Sequence, residues 1–298
     1  MFSDPIFLLA LAGVGILLVI WIIEAIKMDS QTEDELQTPN QGIISKIGFA
    51  LGLIILYRIF VNAGDLSIIL LIGTVISLLI WLTGKFINNK FLGSTGRSWF
   101  LPIFAIFILR TFLYEPYQIP SGSMIPGLKV GDFILVNKHS YGLKLERTGK
   151  AFAFEKNPEY GDVVVFVPPH KPVPFVKRLI GKPGDKISYI NKKLYINGNP
   201  IQQSFYKSEL DINLFTENIN DKEILVQHMK LRPASAPSEW IVPNGMYFAV
   251  GDNRDNSNDS RYWGYIPKDH FMGTADYIWM TWECWTCLPS FKRVGEIN

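Results

Sequence analysis

The sequence predicts about four N-terminal transmembrane helices followed by a mainly β domain. Three observations carry that prediction. Apolar residues make up 48% of the 298 residues, and the excess is concentrated before residue 114. Lysine and arginine in that first part cluster in alternate connections between the apolar stretches. From residue 131 onward, short runs rich in Val, Ile, Tyr and Phe replace those stretches, with turn formers between them. The length suits a membrane part plus one folded domain of roughly 150–200 residues. A net charge of +2 is too small to point to nucleic acid.

Residues 1–113 read as a membrane anchor with spans at 5–26, 47–63, 66–83 and 99–114. The first is long enough to cross a bilayer at about 20 residues. Its pattern is not that of a cleavable signal peptide: the first charge is Asp4, and no small-x-small site follows. The second and third, separated only around Gly64-Asp65, predict a helical hairpin; a hydrophobic core piece of a soluble fold is the competing reading. "GKFINNKFLGSTGR" (84–97) carries Lys85, Lys90 and Arg97 and no acid, so it is expected in the cytoplasm, as is the loop with Lys27 and Lys46. The N-terminus and the Gly64-Asp65 turn hold no base. The expected topology is therefore N-terminus out, four spans, C-terminal domain out. Arg58 and Arg110 lie in spans near the outer end, where long side chains can snorkel. The acidic stretch 28–42 reads as a flexible polar loop.

Residues 114–298 form the second domain. "DFILVNK", "DVVVFVP", "KISYI", "KLYING", "WIVP", "MYFAVGD" and "DYIWMTW" read as strands separated by "KPGD", "NGN" and "PNG" turns. Residues 200–238 are polar and less regular and read as an insertion or cap, with a weak helical period at 221–230. The two cysteines, Cys284 and Cys287, form one C-x-x-C, short of the four ligands of a structural zinc site. They read as a disulfide or as two idle thiols, and no metal is expected.

The chemistry is expected at "PSGSMIPGLKVGD" (120–132), a stiff turn holding Ser121 and Ser123. A serine nucleophile needs a base. The histidines, His139, His170, His228 and His270, sit in no constrained context, although folding could bring one into place. Lys177, in "PFVKRLIGKPGD", shares a strand face with Phe175 and Leu179. A lysine facing a core is rare unless paired or neutral, and a neutral lysine is a base. The competing reading is that Lys177 and Arg178 are an edge-strand basic pair.

Four segments in order, "YEPYQIPSGSMIPGLKVGDFILVNKHSYG" (114–142), "YGDVVVFVPP" (160–169), "FVKRLIGKPGDKI" (175–187) and "VPNGMYFAVGDNRDNSNDSRYWGYIPKDHFMGTADYIWMTW" (242–282), closely resemble the successive boxes of the bacterial type I signal peptidases, or leader peptidases. The closing "CLPSFKRVGEIN" resembles the tail of proteobacterial members. The resemblance covers most of 110–298 and is weakest across about 196–238.

The resemblance implies a mainly β catalytic domain of the signal peptidase type and a membrane-bound serine endopeptidase. Such an enzyme removes signal peptides from exported preproteins, cutting after small residues in an Ala-x-Ala-like pattern. Ser123 matches the nucleophile and Lys177 the general base. Ser121 matches a donor to the oxyanion beside the Ser123 backbone N–H, and Ser257 the serine that holds the lysine ammonium. Arg178, Asp252, Asp259 and Arg261 match a structural charge network. Tyr117, Ile119, Pro120, Met124, Leu128 and Val176 fall where the family lines its small-residue pockets. Gly127 stands where many members have threonine, and Phe175 where some have tyrosine, which touches pocket shape and leaves the dyad alone.

The expected partners are preprotein signal peptides and the lipid bilayer, with proximity to the secretion translocon; no nucleic acid and no cofactor is expected. The expected location is the bacterial inner (cytoplasmic) membrane, multi-pass, with the catalytic domain on the periplasmic side. Ser123 follows the last span by nine residues, so it lies within roughly 30 Å of the span's end. Two other classes compete: a tethered Ser–His hydrolase, which needs an essential histidine, and a non-enzymatic exported β-domain that binds peptides or envelope partners. Intact Ser123, Lys177 and Ser257 argue against the second.

Overall fold

The computed structural model describes residues 4–27, 39–61, 66–144, 148–284 and 286–297. The Gly64-Asp65 turn and most of the acidic 28–42 stretch lie outside them. The chain divides into two compact units, Met1–Arg110 and Thr111–Asn298.

The first unit is helical: α1 (Pro5–Lys27), α2 (Pro39–Val61), α3 (Leu66–Phe86) and α4 (Lys90–Ile108), the last continued by a π-helical turn, Leu109–Leu113. Asp4 caps α1 by accepting from the Ile6 N–H at 3.0 Å, and Pro5 takes the first helical position, where no N–H is needed. Among the described residues three stretches are long and apolar enough to cross a membrane: Pro5–Ile26, Ser67–Phe86 and Lys90–Leu113. The expected 47–63 span lies in α2, which starts eight residues earlier, while residues 62 and 63 fall outside the described ones.

Two expectations are corrected. The expected 99–114 span begins at Lys90, because Asn89 caps α4 by accepting from the Leu92 N–H at 2.9 Å. The basic stretch 84–97 is therefore mostly helix, with a short corner at 87–89 rather than a loop. The close-packed hairpin is α3 with α4, not α2 with α3. Glycines make that contact: a Cβ on Gly84 would overlap the Gly93 backbone, and one on Gly96 the Trp81 backbone. Small residues let membrane helices approach this closely. α2 packs instead on α1, where Phe7, Ala10 and Ile55 are buried together and Arg58 Nε donates to Asp4 Oδ2 at 2.7 Å.

The second unit is mainly β. Its strands are β1 (Tyr114–Gln118), β2 (Asp132–Asn137), β3 (Val163–Phe166), β4 (Phe175–Gly181), β5 (Lys186–Ile190), β6 (Lys193–Ile196), β7 (Asn199–Pro200), β8 (Gln202–Ser208), β9 (Ile212–Ile219), β10 (Lys222–Met229), β11 (Ser238–Ile241), β12 (Met246–Val250), β13 (Ile266–Pro267), β14 (Phe271–Thr281) and β15 (Gly295–Glu296), with a short helix α5 (Ser260–Trp263). The main sheet runs β1-β2-β14-β3-β4-β12-β13, with β15 beside β14. Its neighbours are antiparallel. A second sheet runs β11-β5-β6-β7 and a third β10-β9-β8.

β3 is buried along its whole length, which places it at the centre of the core. Val163 and Val165 pack with Ile119, Met124, Leu128 and Ile134, whereas Val164 and Phe166 pack with Leu179, Ala249 and Phe271. The stretch expected to be less regular is the β8–β10 meander, and 221–230 is strand rather than helix. Asn220 and Asp221 both adopt positive φ, a two-residue turn that sends β10 back along β9. Ile224 and Val226 then point into one core, at the two-residue period of a strand.

Candidate active site

Ser123 sits on a 3-10 turn, Gly122–Met124, in the loop between β1 and β2. The loop is closed at its base by the Ile119 N–H on the Asp132 carbonyl, 2.8 Å, and the Gly131 N–H on the Ile119 carbonyl, 3.0 Å. Beneath the turn, Met124 and Leu128 are 2% and 1% exposed and are packed into the core. Beside it, Asn253 holds the backbone twice. Its N–H donates to the Ser123 carbonyl at 3.1 Å, and its side-chain Nδ2 donates to the Gly122 carbonyl at 2.9 Å.

β4 brings Lys177 to this turn. The side chain is 4% exposed, and Nζ donates to Ser123 Oγ at 2.7 Å and to the Val176 carbonyl at 2.9 Å. Phe175, on the same strand face, has its ring centre 5.4 Å from Nζ. Burial lowers the Lys177 pKa to about 8, overcoming the opposing pull of Asp259 and Asp252, while Arg261 lowers it further. Ser121 Oγ lies 3.5 Å from Ser123 Oγ. Among the described residues no histidine hydrogen-bonds Ser123. His139 and His170 are exposed, His270 Nδ1 lies 2.7 Å from the Val167 carbonyl, and His228 is buried in β10 beside Gln203 and Asp255.

The expected charge network is assembled as two ion pairs. Arg178 grips Asp252 with Nε at 2.9 Å and Nη2 at 2.8 Å, and its Nη1 reaches the Gly161 carbonyl at 2.8 Å. Arg261 grips Asp259 with Nε and Nη2, both at 2.8 Å, and the Asp259 carboxylate also accepts from the Gly251 N–H at 3.0 Å. Burial would lower the Arg261 pKa, but its hydrogen bonds and proximity to Asp259 raise it above its ordinary value. A Cβ on Gly251 would overlap Ser257 Oγ and the Ser123 carbonyl, so only glycine fits between them. Ser257, expected to hold the lysine ammonium, has a buried Oγ with no hydrogen-bond partner among the described residues.

The expected pocket residues divide into two groups. Ile119, Met124 and Leu128 are buried core, while Tyr117 and Val176 are partly buried at its edge and Pro120 is exposed. Residue matching does not separate a pocket wall from the core that supports it.

Sequence reasoning missed three contributors. Asn253 and Arg254 lie inside the quoted "GDNRDNS" but drew no role. Arg254 forms a third bidentate pair, with Glu217 at 2.7 and 2.6 Å, on the β8–β10 meander. Arg293, in the C-terminal tail, donates to the buried Asp132 carboxylate and to the Gly127 carbonyl at 2.8 Å, tying the tail to the turn. Burial would raise the Asp132 carboxyl, but bonds from Arg293, the Lys129 N–H and Thr281 hold it below its ordinary value. Cys284 and Cys287 are joined in a disulfide.

Comparison with known proteins agrees with the resemblance. The family model described as signal peptidase, peptidase S26, matches residues 92–282. Signal peptidase I of Pseudomonas fluorescens is 42% identical over 222 residues, covering 68% of this chain and 78% of the relative. That of Pseudomonas aeruginosa is 40% identical over the same length. Signal peptidase I of Buchnera aphidicola subsp. Acyrthosiphon pisum is 36% identical over 313 residues, covering 79% of this chain and all of the relative. With its family model spanning the turn, β4 and the Gly251–Arg261 segment, this chain belongs to the signal peptidase family, peptidase S26.

Proposed function

We propose that the chain is a membrane-bound signal peptidase I that cuts signal peptides from exported preproteins with a Ser123–Lys177 dyad. The observation that carries this reading is the 2.7 Å contact between a buried amine and Ser123 Oγ. Neutral Lys177 takes the Ser123 proton as Oγ attacks the scissile carbonyl carbon. Negative charge then grows on the carbonyl oxygen. The Ser123 N–H, in the first turn of a helix where N–H groups lack internal acceptors, and the Ser121 hydroxyl are assigned to that oxygen. The Lys177 ammonium gives its proton to the leaving amine, and the C–N bond breaks to leave an acyl-Ser123. Water, deprotonated by the again neutral Lys177, attacks the acyl carbon; the bond from that carbon to Ser123 Oγ breaks, the Lys177 ammonium returns its proton to Oγ, and the signal peptide is released. Ser257, whose buried hydroxyl has no hydrogen-bond partner among the described residues, is assigned to the charged form of the lysine.

Tyr117, Pro120 and Val176 are the partly or fully exposed members of the proposed pocket, with Ile119, Met124 and Leu128 as its floor. The proposed topology keeps the N-terminus and the end of α2 outside. The Asp4–Arg58 pair, which joins those two helix ends, supports it, as does the basic α3–α4 corner. The unit after α4 then falls on the periplasmic side of the inner membrane, where substrates leave the translocon.

The test is cleavage of a preprotein by the purified full-length protein. Ser123→Ala and Lys177→Ala should both be inactive while folded. Activity surviving in either sinks the dyad.

A further inference from the structure

The β8–β10 meander has no part in the dyad chemistry, yet its contacts converge on the segment that surrounds the dyad. Residues 251–256 lie between two partners. On one side Asn253 grips the Gly122 and Ser123 carbonyls. On the other, β10 pairs with the segment as if it were one more strand. The Gln227 N–H donates to the Asp252 carbonyl at 3.0 Å, and the Arg254 N–H donates to the Gln227 carbonyl at 3.1 Å. Asp255 Oδ2 accepts from the Met229 N–H at 2.8 Å and from Lys192 at 2.7 Å. The deepest contact is Glu217 with Arg254, each 1% exposed, with Gln203 donating to Glu217 Oε1 at 3.0 Å.

A buried ion pair is a poor source of stability, because an apolar pair of similar volume often packs as well or better. It does fix direction. With its guanidinium locked on Glu217, Arg254 presents its backbone carbonyl to Arg261 Nη2 at 2.7 Å. Arg261 in turn holds Asp259, and Asp259 holds the Gly251 N–H, directly behind Ser123. Asp259 and Arg261 are among the charges that act on Lys177.

We infer that the β8–β10 meander braces the 251–259 segment and that Glu217 is a positioning residue for Ser123 and Lys177. The inference rests on the Ser–Lys reading above. Glu217 touches neither substrate nor the reacting atoms; it acts through Arg254 and Arg261.

The test uses the full-length protein in detergent and records kcat, KM, the pH dependence of cleavage and Tm. Glu217→Gln keeps the shape and loses the charge. The double variant Glu217→Leu with Arg254→Met replaces the pair by apolar volume, so no charge is left buried alone. The double variant is expected to fold, to lose kcat by about 100-fold as expected for a small misplacement of reacting groups, and to keep KM within about 3-fold. Its pH midpoint should move by more than about half a unit. Glu217→Gln should show the same pattern more weakly. A folded double variant with the parent's kcat overturns the inference, as does a loss confined to KM or a loss of kcat with an unmoved midpoint. If the double variant does not fold, Glu217→Gln decides by the same readings. The Ser–Lys reading fails separately, if Ser123→Ala in the unaltered background still cleaves.

Discussion

Lys177 Nζ lies 2.7 Å from Ser123 Oγ, and in the proposed dyad the protonation of that one amine decides whether the contact is productive. A charged ammonium cannot accept the serine proton. With the Lys177 pKa lowered to about 8, the neutral fraction grows tenfold per pH unit below that value and saturates above it. Cleavage measured from about pH 6 to about pH 10 should follow that curve, with kcat/KM rising toward alkaline pH and no inflection governed by a histidine near 6.5. Lys177→Arg should be as inactive as Lys177→Ala, because guanidinium stays protonated. An active Lys177→Arg protein would refute the assignment.

Gly251 separates Ser257 from the Ser123 carbonyl with no room for a methyl group. Gly251→Ala should push the turn off Lys177 and cost about 1–3 kcal/mol in stability, the usual range for overpacking. Cleavage should fall much further than Tm suggests. Parent-like turnover in this variant would show that the turn tolerates displacement.

Substrate choice should follow side-chain volume at the residue just before the cut. The floor of the proposed pocket is packed core at Ile119, Met124 and Leu128, which cannot recede without disturbing the fold. A preprotein with Ala at that position should be processed and one with Phe should not. Equal processing of both would contradict the pocket.

A reporter inserted at Asn88, in the α3–α4 corner, should behave as cytoplasmic, and one fused after residue 65 as exported. The corner lies beside Lys85, Lys90 and Arg97. The reverse pattern would invert the proposed topology.

Changing Cys284 and Cys287 to serine should leave cleavage within about twofold of the parent, since distant independent sites act additively. The disulfide closes a short loop after β14 and makes no contact with Ser123 or Lys177 among the described residues. Loss of cleavage in a folded double variant would give the pair a role in the reaction.

The contact between Ser123 and Lys177 was legible because the chemistry proposed for it imposes local rules. Ser123 needs a rigid turn of small residues, and Lys177 had to alternate with Phe175 and Leu179 to be buried. What stayed hidden is contact between residues that no period relates. Glu217 and Arg254 are 37 residues apart, and no sequence period links them. Arg293 and Gly127 are 166 apart. The helix boundaries went wrong for another reason. Gly93-Ser94-Thr95-Gly96 looks like a loop because its residues are poor helix formers, yet packing against α3 needs small residues there. At 221–230 the sequence shows only a weak helical period, and the Asn220-Asp221 turn is the better signal.

The main sheet places β14 between β2 and β3, although β14 is the last long strand to be synthesised. Within the meander, β8, β9 and β10 each pair with a neighbour along the chain, so these three strands can assemble as soon as they are made. The wall that carries Ser123 has no such freedom. Without Phe271–Thr281, β1 and β2 share no strand pairing with β3 and β4 among the described residues, and the turn contacts of Asn253 and Lys177 are left to join the two halves of the sheet. The strand order thus leaves the main sheet open until its last long strand has been made, so the wall around Ser123 is completed late in the order of synthesis.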